Sequence, residues 1–335
     1  MTHPVQNPPA LRIGFILAKR FTLSAMALFV DTLRLAADHE DGSRKIRCSW
    51  DVLSHARGFA TSSCGVQVAS TMDLVDPRRY TYIVVVGGLL EVEEPLDTAV
   101  AAYLHKAAKA GVGLIGLCTG SFLLAEAGLL KNHRACVSWL HHKEFVRRFP
   151  HLGVTSEQIF NLDDTLATCA GGSASADLAA ALVRRHIGEN AERNATEILQ
   201  ILHRREATDA QARKPLGIEV GDHRVHQALL LMEQHLEDAL PVSALATLIG
   251  LSRRQLERLF LECLGASPSA LYLRLRLESA RRMMAEDPKR PLIDIALANG
   301  FSGPSHFSIR FRARFGISPT EARRLDGLRD ARRTG

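Results

Sequence analysis

The sequence predicts two folds in one chain: an α/β N-terminal domain with a parallel sheet flanked by helices, and an all-α C-terminal domain with two helix-turn-helix units. Three observations carry this. Short apolar runs alternate with amphipathic stretches through the first 190 residues, the pattern of buried parallel strands joined by crossover helices. One helical pattern occurs twice in the last third, about fifty residues apart, which marks a duplicated unit. Between them lies a polar stretch interrupted by Pro215 and Gly217.

Taken in order, residues 11–17 read as a strand and 23–37 as a helix, followed by strands at 49–53 and 82–86 and a helix near 96–110. Residues 112–117 form the next strand, 119–127 a helix, 166–170 the last strand and 174–187 its helix, with Gly128 and Gly188 placed as helix C-caps. The expected domains are residues 10–190 and 221–328. The intervening 191–220 is read as a connecting helix near 195–205 and a linker.

In the C-terminal repeat, Ala246/Ala296, Gly250/Gly300 and Ser252/Ser302 align at an offset of 50, and Phe260/Phe311, Gly265/Gly316 and Pro268/Pro319 at 51. A short apolar helix must end sharply, and Gly250 or Asn299-Gly300 supplies the left-handed residue that ends it. Ser252 with Gln255 has capping-box form, and Leu256, Leu259 and Phe260 make the inward stripe of the next helix. Arg253, Arg254, Gln255 and Arg258 then face outward at its start, where a recognition helix meets base edges and phosphates. Ser267-Pro268 opens a helix predicted to run over residues 268–286. Its length, roughly 28 Å, is close to the ~34 Å spacing of successive major grooves on one duplex face.

Composition agrees with a two-domain globular protein: 335 residues, 46% hydrophobic and 23% charged, with no run long enough to span a membrane. The polar, proline-containing N-terminus has no signal-peptide core, so a cytoplasmic location is expected. Net charge is +6, and residues 221–335 hold 18 Lys and Arg against 13 Asp and Glu, so the positive field sits where DNA would sit. The six cysteines show no metal-ligand spacing; no metal and no cofactor are expected.

The sharpest N-terminal motif is Gly116-Leu117-Cys118-Thr119-Gly120, after a strand and before a helix. It has the shape of a nucleophile elbow, in which glycines permit a strained turn that exposes the central side chain. Gly87-Gly88 after the preceding strand could add a backbone N–H to the same crevice as an anion hole.

Residues from about 225 to 325 resemble the AraC/XylS class of transcription regulators, through Asn299-Gly300-Phe301-Ser302, Ser305-His306-Phe307, Phe311-Arg312 and Phe315-Gly316-Ile317-Ser318-Pro319. The resemblance implies that Arg254, Gln255, Glu257 and Arg258 read bases. In the second unit Pro304, Ser305 and Ile309 are poor readers, so Ser305, His306, Arg310, Arg312 and Arg314 are expected to position the protein on phosphates. Residues 11–190 resemble the class I glutamine-amidotransferase-like superfamily in its PfpI/ThiJ-like branch, a flavodoxin-like fold. That likeness rests on Val86-Gly87-Gly88, the elbow at Cys118, the run from Glu126 to Leu130, and Ala170-Gly171-Gly172.

The departures decide the expected function. Enzymes of this branch pair the elbow cysteine with a histidine, but here Thr119 follows Cys118, Ser138 precedes Trp139, and Ala25 holds a place that often carries a carboxylate. His141 and His142 lie about one turn beyond. Without an adjacent base the thiol loses its usual activation, so no catalytic residue is expected and Cys118 is a vestigial elbow. The leading expectation is a regulator, an activator of catabolic genes, whose crevice near Gly88, Cys118, Thr119, Ser138 and Trp139 binds an amino acid, quaternary amine or similar small nitrogen compound. Promoter DNA, RNA polymerase and a second copy of the chain are the implied partners. The alternatives are a cysteine-dependent hydrolase or amidase carried on DNA, and an architectural DNA binder with a vestigial sensor.

Overall fold

The computed structural model describes residues 9–38, 42–91 and 97–331, with side chains to residue 325; the N-terminal residues 1–8 and the expected helix start at residue 96 lie outside the described residues. The chain divides into two compact units, residues 1–211 and 212–335.

The strands of the first unit are β1 (Leu11–Leu17), β2 (Cys48–Ser54), β3 (Phe59–Thr61), β4 (Gln67–Ala69), β5 (Met72–Asp73), β6 (Tyr82–Val86), β7 (Gly113–Leu117), β8 (Ala135–Cys136), β9 (Val154–Thr155), β10 (Phe160–Leu162) and β11 (Leu166–Cys169). Its helices are α1 (Leu23–Ala37), α2 (Thr98–Lys109), α3 (Gly120–Glu126), α4 (His142–Arg148), α5 (Ala174–His186) and α6 (Glu189–Ile198). Among the described residues the main sheet has seven strands in the order β10-β11-β7-β6-β1-β2-β5. Its pairs are parallel except β10 with β11, an antiparallel edge that the expectation of a wholly parallel sheet did not include. β3 and β4 form a separate hairpin.

β6 and β7 are buried at every position, as strands covered on both faces must be. One face carries a core of Phe15, Phe29, Val84 and Leu178 under α1, α5 and α6. The other carries Ile83, Leu104, Phe122 and Phe145 under α2, α3 and α4.

The connecting helix expected near 195–205 lies earlier in the chain. α6 begins after Gly188, whose φ of 129° suits glycine, and places Glu189 and Glu192 in the positive first turn. It stops at Leu199, and Gln200 at φ 58° turns the chain away. Ala191 and Ala195 are buried against α1 and α5, so this helix completes a core rather than bridging two domains. Residues 199–211 also stay on the first unit: Arg205 pairs with the buried Asp177 at 2.5 Å, and Arg204 with the buried Glu192 at 3.4 Å.

The second unit is helical: α7 (His223–Gln234), α8 (Val242–Leu248), α9 (Arg253–Leu264), α10 (Pro268–Glu286), α11 (Leu292–Ala298), α12 (Pro304–Phe315) and α13 (Pro319–Ala331). α10 spans the residues expected from its cap and stop signals, with Ser267 Oγ accepting from Ala270 N. Two cores hang on it. Leu271 and Leu275 pack with Val225, Leu229, Leu256 and Phe260, while Leu277, Ala280 and Met284 pack with Ile295, Phe301, Phe307 and Phe311.

Phe260 is fully buried, so Phe260→Ala should destabilise the second unit by about 3–5 kcal/mol, read as a lower urea midpoint for loss of helical circular dichroism. A second expectation concerns Asp222, the N-cap of α7, whose carboxylate is held at about 2 by the Arg224 guanidinium and by N–H donation from Arg224 and Val225. Its ordinary value is near 4, so its stabilising contribution is present above about pH 4 and is lost as pH falls toward 2. Asp222→Asn should lower the melting temperature at pH 7 and converge with the parent at pH 2.

Candidate nucleic-acid interface and elbow site

The two turns are built as their glycines require. Gly250 and Gly300 adopt φ of 73° and 70°, and Gly265 and Gly316 end α9 and α12 at 62° and 76°. At Gly300 the constraint is double, because a Cβ there would also lie 2.5 Å from the Leu236 carbonyl oxygen. Sequence reasoning missed the side chain that fixes this turn. Arg276 on α10 donates to the Asn299 carbonyl at 2.6 Å and to the Gly300 carbonyl, and its guanidinium lies 4.3 Å from the centre of the Phe301 ring. Burial lowers its pKa, the mark of an arginine drawn out of water.

α9 starts with a full capping box: Gln255 N donates to Ser252 Oγ at 3.3 Å and Ser252 N donates to Gln255 Oε1 at 2.8 Å. The carboxamide oxygen of Gln255 is therefore engaged in the cap rather than offered to a base. Arg253 pairs with Glu257 at 2.8 Å, and Arg258 lies 3.7 Å from Glu262, both exposed i,i+4 pairs of small energetic weight. Arg254 is exposed and, among the described residues, enters no ion pair. On α12, Ser305, His306, Arg310, Arg312 and Arg314 are all exposed. Arg310 Nε donates to His306 Nε2 at 3.4 Å, while Arg314 pairs with Glu278 of α10 at 3.0 Å, which ties it to its own unit. Ile309 is 69% exposed on the same helix.

In the first unit the elbow has the expected geometry. Cys118 sits at φ 56°, strained for a residue with a side chain, between β7 and α3. Glycines make the approach possible: a Cβ on Gly120 would lie 2.1 Å from the Val85 carbonyl oxygen, and one on Gly171 would lie 2.8 Å from Cys118 Cβ.

The surroundings differ from an open crevice. The Gly87 N–H donates to the Leu117 carbonyl at 3.1 Å, which takes it out of any anion hole. Thr119 is 3% exposed and its hydroxyl donates to the Gly88 carbonyl at 2.8 Å. Gly88 itself presses on the Arg20 carbonyl, 1.7 Å from where a Cβ would stand. Thr119 and Gly88 thus hold loops together. The side-chain partner of Cys118 Sγ is Thr22 Oγ1 at 3.4 Å, a hydroxyl that sequence reasoning did not single out. His141 packs edge-on against Phe122, and burial lowers its pKa.

Ser138 and Trp139 follow β8. Leu140 N donates to Ser138 Oγ at 3.3 Å, and Trp139 is 37% exposed. Their loop is pinned by Gln211, the last residue of the first unit, which is 4% exposed. Trp139 N donates to Gln211 Oε1 at 2.9 Å, and Gln211 Nε2 donates to the Val137 and Gln158 carbonyls at 2.8 and 2.9 Å. A cleft of about 470 Å³ opens elsewhere, over the carboxyl ends of β1 and β2, and none of the five expected effector contacts lines it.

These features define a DNA-binding helical unit joined to an α/β unit whose elbow cysteine has a hydroxyl partner. The comparisons agree. A family model described as a helix-turn-helix domain matches residues 245–325, and the model of the DJ-1/PfpI family matches residues 20–185. The chain is 35% identical to the HTH-type transcriptional regulator CdhR of Pseudomonas aeruginosa, over 92% of this chain and 90% of that protein. It is 32% identical to GbdR of the same species, over 96% and 86%, and 33% identical to GlxA of Rhizobium meliloti, over 94% and 96%. The chain belongs to the AraC-type helix-turn-helix transcriptional regulators that carry a DJ-1/PfpI domain, a regulator rather than an enzyme.

Gln211→Leu leaves the Val137 and Gln158 carbonyls without this donor, so it should destabilise the first unit by about 2 kcal/mol, checked by urea unfolding.

Proposed function

We propose that this regulator reads its operator mainly through α9 and uses α12 chiefly to fix position on the duplex, in response to a small effector held by the α/β unit. The carrying observation is the outward, capped start of α9, where Arg254 is exposed and, among the described residues, free of ion pairs, and Arg258 shares its helix face. Arg254 can meet a base edge or phosphate without first breaking a salt bridge, whereas Arg314 must leave Glu278. α12 offers Arg310, Arg312, His306 and Ser305 around the apolar Ile309, a face better suited to phosphates than to bidentate readout.

The effector is an amino acid, quaternary amine or similar small nitrogen compound, and its binding activates catabolic genes through contact with RNA polymerase, with the protein acting as a homodimer. Support for ligand response comes from the α/β unit itself: Cys118 and Trp139 are partly exposed at the carboxyl ends of the strands, where open parallel sheets hold ligands. A cysteine-dependent amidase is the competing reading, favoured only by the strained φ of Cys118. Incubation with simple amides should give no turnover above that of Cys118→Ser; thiol-dependent release of ammonia would overturn the choice.

Arg258→Ala and Arg254→Ala should each weaken operator binding by about 1–3 kcal/mol with a smaller loss on random duplex, whereas Arg312→Ala should weaken both alike and flatten the salt dependence. Gel-shift titrations at two salt concentrations check this, and equal losses on both duplexes for the α9 variants would remove the base-reading role.

A further inference from the structure

The cleft over β1 and β2 has a built rim. The loop after β1 is fixed on two sides: Arg20 N donates to the Thr61 carbonyl at 3.0 Å, and its carbonyl accepts from Leu89 N at 3.3 Å. Arg20 is thereby held at φ 57°, a left-handed conformation that costs a side-chain-bearing residue energy and persists only where neighbours enforce it. The next residue, Phe21, bridges to Ser62 at the far end of β3. The hairpin β3–β4 therefore stands over the sheet edge as a wall that is hydrogen-bonded to the loop opposite.

The charge of the lining is one-sided. Lys19 and Arg20 are exposed at the mouth, and among the described residues no Asp or Glu lines the cleft. Among the described residues neither cation enters an ion pair; the recorded side-chain bond of Arg20 is a 3.5 Å contact with the Ser63 carbonyl. The nearest carboxylate on β2, Asp51, is engaged by the Tyr80 hydroxyl at 3.0 Å. Deeper in, Val52, Leu53 and Val68 are apolar, while Thr61 and Ser70 supply hydroxyls. At about 470 Å³ the volume is in the range of small-molecule sites.

We propose that this cleft is a binding site for a small carboxylate carrying a short apolar chain, with Lys19 and Arg20 holding the carboxylate and the chain lying against Val52, Leu53 and Val68. Among the described residues a cationic headgroup finds no counter-charge here and meets two like charges, so a bare amine is disfavoured at the site. An amino acid is admitted through its carboxylate. This deepens the effector reading above by naming a ligand class and a place distinct from Cys118; the binding itself does not depend on that reading.

The test is isothermal titration of the full-length protein with four compounds of equal chain length: valerate, norvaline, pentylamine and pentanamide. Valerate and norvaline should bind, with pentylamine and pentanamide at least about tenfold weaker. Lys19→Met and Arg20→Met should each weaken valerate by about tenfold, and Ala60→Phe, which fills the cleft, should abolish its binding, with melting curves showing that each variant remains folded. Absence of any heat or thermal shift with valerate up to about 10 mM overturns the proposal, as does undiminished binding in the Lys19→Met/Arg20→Met double variant or pentylamine binding as tightly as valerate. Gel shifts separate this from the effector reading. Norvaline that changes operator affinity equally in the parent and the double variant sinks the cleft as its effector site, whereas valerate bound in the cleft with no effect on operator affinity sinks valerate as effector and leaves the site.

Discussion

The second unit depends on one constraint: a single helix must serve two cores at once. α10 offers Leu271 and Leu275 to one cluster and Leu277, Ala280 and Met284 to the other, so its nineteen residues are the shared wall of both helix-turn-helix pairs. Neither pair could bury its apolar stripe alone, since α8 and α11 are seven residues each. Register between the two pairs is then set by covalent helix geometry instead of by a loop. Arg276, midway along α10, completes the arrangement by bonding the carbonyls of the second turn.

The first unit obeys a different constraint, close backbone approach at the carboxyl ends of its strands. Gly87, Gly88 and Gly120 each stand where a Cβ would fall within 2.2 Å of a neighbouring backbone atom. This crowding draws the loops after β1, β6 and β7 into one bonded surface and uses the Thr119 hydroxyl and the Gly87 amide to do so. An enzyme elbow of this shape needs those groups free. Here they are structural, and among the described residues the side-chain partner of Cys118 is the Thr22 hydroxyl, not an imidazole that would activate the thiol.

Much of this was legible in the sequence because it follows from local rules. Capping residues, left-handed glycines and the fifty-residue repeat placed α9, α10 and α12, and apolar runs placed β1, β6 and β7. What escaped depends on partners distant in the chain. Arg276 reads as one more surface arginine until Asn299 and Gly300 fold against it, and Gln211 reads as linker until Val137 and Gln158 meet it. α6 was misplaced because its alanines bury against α1, more than 150 residues earlier, as the Asn194 bond to the Leu35 carbonyl shows. The antiparallel β10 is three residues long, too short for any period to announce it. Of the expected DNA contacts, local pattern identified which side chains face outward but not which are already engaged, such as Gln255 in its cap and Arg314 with Glu278.

The amide of Trp139 donates to the side-chain oxygen of Gln211, the last residue of the first unit. A molecule that moves the tryptophan backbone must either carry Gln211 along or release it. In the first case the Gln211 side chain must also strain its bonds to the Val137 and Gln158 carbonyls; in the second those two bonds stay and the Trp139 amide loses its acceptor. Either way, a displacement of this loop is felt at the residue where the first unit ends.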